Sequence, residues 1–60
     1  MSSVYNPESE RIAEIERLER DARDLRRRLE QARNAEDKRV IERQISEVRQ
    51  KIDLLRSQLP

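Results

Sequence analysis

Arg33-Asn34-Ala35-Glu36-Asp37, near the middle of this 60-residue chain, is the stretch whose reading decides the fold. Asparagine is the non-glycine residue best suited to the left-handed conformation that ends a helix, and it is also a preferred N-cap. Asp37 stands three residues on, in a pattern that resembles a capping box with Asp in place of Glu or Gln. Asp37 also qualifies as a cap, which places a chain reversal here to within two or three residues.

An apolar series runs on each side of this stretch. Upstream stand Ile15, Leu18, Ala22, Leu25, Leu29 and Ala32, spaced by alternating steps of three and four, the heptad seam of a coiled coil. Downstream stand Ile41, Ile45, Val48, Ile52, Leu55 and Leu59, with the same rhythm. The two series are out of phase. Extending the first register past Ala32 puts Glu36, Arg39, Arg43, Ser46, Gln50 and Asp53 on the seam, and every one is polar. The second seam is displaced by two residues, which matches neither of the three- and four-residue discontinuities that coiled coils absorb. On a straight helix Ala32 and Ile41, nine residues apart, lie on opposite faces. One long helix in a parallel dimer, the alternative architecture, therefore points its halves at different partners. A reversal removes the conflict. The fold expected is all-α, an antiparallel two-helix coiled-coil hairpin that dimerises into a four-helix bundle.

The boundaries follow from local signals. Asn6-Pro7-Glu8 combines an N-cap, a proline whose missing N–H costs nothing at the first helical position, and an acid at the positive dipole end. Residues 1–6 read as a flexible N-terminal segment. Helix 1 is expected over about 7–32, the turn over about 33–35 and helix 2 over about 35–58, with helices roughly 36–39 Å long at about 1.5 Å per residue. Facing residues of an antiparallel pair have numbers of constant sum. Ile15 with Ile52, Ala22 with Ile45 and Ile12 with Leu55 sum to 67, while Leu18 with Val48 and Leu25 with Ile41 sum to 66. Acid-first pairs Glu16–Arg20, Glu19–Arg23, Asp24–Arg28 and Glu47–Lys51 support the helices locally, at some tenths of a kcal/mol each.

Composition narrows the function. Charged residues make up 45% of the chain yet nearly cancel, leaving a net charge of +1. There is no Gly, Cys or His, and the two prolines are Pro7 and Pro60. Disulfides are excluded, and neither a zinc site nor any cofactor is expected. Catalysis is not expected either, because there is no Gly-rich phosphate loop and no nucleophile beside a base. Glu8, Glu10 and Glu14 read as compensation of the helix dipole rather than as a metal site. No apolar run reaches membrane-spanning length and the N-terminus does not read as a signal peptide, so a cytoplasmic protein without a membrane partner is the default.

What remains is association. A chain this short rarely stabilises itself with one core, and without disulfide or metal the remaining prop is a second copy. Ile12, Val40 and Leu54 widen the apolar stripe beyond one partner helix, so the interface expected in a homodimer comprises Ile12 with the two seams. An unidentified protein partner is expected at the open end of the hairpin, where Val4, Tyr5, Ile12, Ala13, Leu54, Leu55 and Leu59 gather. Val4, Tyr5 and Leu54 are its candidate contacts, Tyr5 being the lone aromatic of the chain. The alternative is nucleic acid held by the arginine stripe Arg20, Arg23 and Arg27. In arrangement, though in no residue-level motif, that design resembles the plasmid copy-number regulator Rop, an RNA-binding dimer of helical hairpins. Asp21, Asp24 and Glu30 interrupt the stripe, and no aromatic stands there to stack a base.

Overall fold

Two helices, α1 at Pro7–Gln31 and α2 at Ala35–Ser57, make up a computed structural model that describes residues 6–60. The flexible segment expected at the N-terminus, with Val4 and Tyr5, lies outside the described residues apart from Asn6. Asn6 is the N-cap of α1. Its backbone is extended, and its Oδ1 accepts from the N–H of Glu8 at 3.0 Å and of Ser9 at 3.3 Å. These are two of the donors that a helix start leaves without intrahelical partners. Glu8 and Glu10 in the first turn and Arg28 in the last complement the dipole.

α1 ends when Ala32 leaves the helical region, at φ −69° and ψ 135°, with its N–H still donating to the Leu29 carbonyl at 3.2 Å. Asn34 takes the second of its two expected roles. At φ −111° and ψ 157° it is the N-cap of α2, its Oδ1 accepting the Asp37 N–H at 2.8 Å. No described residue has a positive φ, so no left-handed cap exists here. The capping box closes differently from the full motif. The Asp37 carboxylate accepts from the Asn34 side-chain Nδ2 at 3.1 Å, because Asp is one methylene shorter than the Glu that reaches back to the cap backbone. The connection is thus Ala32–Asn34, three residues long. Both helices stop one residue earlier than expected, the usual scatter at a fraying end.

The two helices pack along their seams. Ile15, Leu18, Ala22, Ile45 and Ile52 are buried. Ile15, Leu18 and Ile52 form one cluster, with Val48, Leu55 and Leu59 packed against it. Leu25, Leu29, Ala32 and Ile41 are half-buried toward the turn, and so is Arg11 at the open end. The cross-helix contacts correct the register: Arg11 with Gln58 sums to 69 and Glu19 with Arg56 to 75, both above the expected 66 and 67. Arg11 with Leu59, Ile15 with Leu55, Leu18 with Ile52, Ala22 with Val48, Leu25 with Ile45 and Leu29 with Ile41 all sum to 70, and every member is at least half-buried. The sums of 66 and 67 follow from a turn centred at Arg33 and count backbones. Side chains tilt toward the N-terminus of their own helix, so those that meet across an antiparallel pair lie about one position further along each chain, which raises the sum by about two.

Ile12 is corrected with the register. Placed on the seam by its hydrophobicity, it stands one position off and is 47% exposed. Arg11 occupies the seam position instead, is half-buried there, and donates from Nε to Gln58 Oε1 at 3.1 Å.

None of the four expected i,i+4 ion pairs is formed among the described residues. Glu14 pairs with Arg17 one turn on, and Glu19 reaches across the hairpin to Arg56, both at 2.6 Å. The backbone is 22 Å wide and only 11 Å thick, so the hairpin is a single layer of two helices, with neither broad face covered by another described element.

Candidate interaction surfaces

In an antiparallel coiled coil the positions flanking the seam fall into two sets, one on each broad face. On one face a groove is floored by Ala22 and Ile52 and rimmed by Glu19, Arg23, Arg26, Arg49, Asp53 and Arg56. It continues toward the turn past Leu29, Glu42 and Ile45. On the other face the groove over Leu25 and Val48 is bordered by Asp21, Asp24, Arg28, Glu47 and Lys51. The first face is therefore arginine-rich, with four arginines to three acids, while the second sets three acids against Arg28 and Lys51, although the whole chain is nearly neutral.

The exposed large aliphatics do not gather at one place. Val40, 49% exposed, borders a hollow near the turn with Ala32 and Ile41. Leu54, 60% exposed, borders another on the outer side of α2 with Glu47, Gln50 and Lys51. Val40 and Leu54 are two heptads apart on one side of α2, on the flank away from the arginine-rich groove. Ile12 flanks the arginine-rich face. The expected apolar open end therefore divides: Leu55 and Leu59 turn inward onto the core cluster, while Ile12 and Leu54 face different ways and Ala13 is exposed.

Of the stripe Arg20, Arg23 and Arg27, all exposed, Arg23 alone lines the arginine-rich groove. The others lie on the back of α1. The arginines that meet Arg23 there are Arg26 of the same helix and Arg49 and Arg56 of α2, which a helix-by-helix reading of the sequence does not bring together. Their signal was heptad position, since Arg26, Arg49 and Arg56 stand where Glu19 does, four residues past a seam residue.

Among the described residues no helix is long and apolar enough to cross a membrane, and no group of three or more acidic, His or Cys side chains is placed to hold a metal. Compared with known protein families, curated proteins and solved structures, the chain matches none.

Proposed function

We propose that the protein is a small non-catalytic interaction module that self-associates, two hairpins stacking face to face into a four-helix bundle. The observation that carries this reading is a seam held in one 11 Å layer, whose best-buried residue, Ala22, is still 4% exposed. No described seam residue is fully enclosed. Val40 and Leu54 extend the apolar surface outward along α2, and single-layer hairpins of this size lack the buried area that stabilises a lone domain. A second hairpin laid on one face removes that area from water at about 25 cal/mol per Å², without any change in the first. Specificity for another protein then rests on what the bundle leaves exposed, with Leu54, together with Val4 and Tyr5, as the contact residues of this reading.

Sedimentation equilibrium over a hundredfold range of concentration tests it. The expected result is a mass near twice 7.3 kDa at micromolar concentration, falling toward one chain on dilution. A mass of one chain throughout overturns the proposal.

A further inference from the structure

We propose that the groove over Ala22 is a binding site for phosphate groups, with Arg26 and Arg49 as its two jaws. The relation between opposite flanking positions is fixed by Glu19 and Arg56, which meet at 2.6 Å and whose numbers sum to 75. The same sum pairs Arg26 with Arg49, like charge facing like charge, and both line the same groove. Arg23 stands on its rim, and neither Arg23, Arg26 nor Arg49 has an ion-pair partner among the described residues.

The chemistry favours phosphate. A guanidinium presents paired donors that match two oxygens of one phosphate, and two guanidinium groups from different helices hold it from both sides. Ala22 keeps the floor open, because a larger side chain at this seam position would fill the hollow. The rung is repulsive in the free hairpin, so an anion between the jaws is stabilised by both arginines and removes their mutual repulsion. Folding brings the jaws together, and the site therefore binds the folded chain in preference to the unfolded one.

Thermal unfolding of the full chain, followed by circular dichroism, supplies the test. At equal ionic strength, pyrophosphate in place of chloride should raise the midpoint by about 5 °C or more when well above its dissociation constant. R26Q/R49Q should abolish that rise, and R20Q/R27Q, which removes the same charge from the back of α1, should retain it. Arg49→Glu creates an attractive rung, so it should raise the midpoint without pyrophosphate and leave nothing for pyrophosphate to add. An unmoved wild-type midpoint, an equal rise in R26Q/R49Q, or an Arg49→Glu chain no more stable than wild type each overturns the proposal. A short RNA duplex that displaces pyrophosphate assigns the site to backbone phosphates, and a duplex that leaves it bound assigns it to a free phosphate compound.

Discussion

Asn34 holds the start of α2 at the point where the chain changes direction, its Oδ1 accepting the Asp37 N–H. Replacing it with Ala should cost about 1 kcal/mol of stability, and replacing it with Gly only a few tenths, measured by urea denaturation. A glycine variant more stable than wild type would instead place position 34 in the left-handed region. This cap was legible in the sequence, but the contact between Asp37 and the Asn34 side chain was not, because motif spacing does not encode side-chain reach. Ile12 and Arg11 show the limit from the other direction. Hydrophobicity nominates Ile12, yet periodicity counted back from Ile15 in a step of four lands on Arg11. Ile12→Gln should therefore change stability by no more than about 0.5 kcal/mol. Leu18→Ala should cost roughly 2–4 kcal/mol by the same measurement, because Leu18 is 7% exposed within the main cluster. Ile45→Asp puts an unpaired charge at a buried seam position and should leave the chain unfolded in circular dichroism.

For the helices as elements, the two seams and their opposed phases were plain from the three-and-four spacing, and the hairpin followed. Their mutual register was not legible to the residue, because it depends on turn geometry and on the tilt of side chains along each helix. The corrected register has a direct consequence for cross-linking. Cysteines at Leu25 and Ile45 occupy one layer and should oxidise to a disulfide within one chain. Cysteines at Ala22 and Ile45, which the sequence-derived register pairs, should form the bond more slowly, with mass spectrometry after brief oxidation as the readout. The arginine-rich groove escaped the reading for the same reason. Positions on different helices become neighbours only once the register is known, whereas the stripe on the back of α1 is visible within one helix.

For the whole molecule, thinness governs behaviour. If two hairpins stack, the thermal midpoint should rise with protein concentration, and calorimetry across a concentration series measures it. Spin labels at Ile15 and Ile52, spread sparsely among unlabelled chains, should lie about 10 Å apart, as across packed helices. What covers the seam was not legible in the sequence, since a second copy and an unrelated helix would bury the same aliphatic stripe. The opposed phase of the seams also bears on how such a chain avoids exchanging halves with its neighbours. A short three-residue connection between helices invites domain swapping, in which the connection straightens and each half pairs with another chain. Straightening here would set the α1 seam on one side of the rod and the α2 seam on the other. A second straight rod cannot lie on both sides at once, so the swapped form forfeits half of its packing. Two residues of phase thus act as a lock on connectivity, and a chain with two residues deleted between Asn34 and Ile41, which brings the seams into line, should lose that lock and exchange.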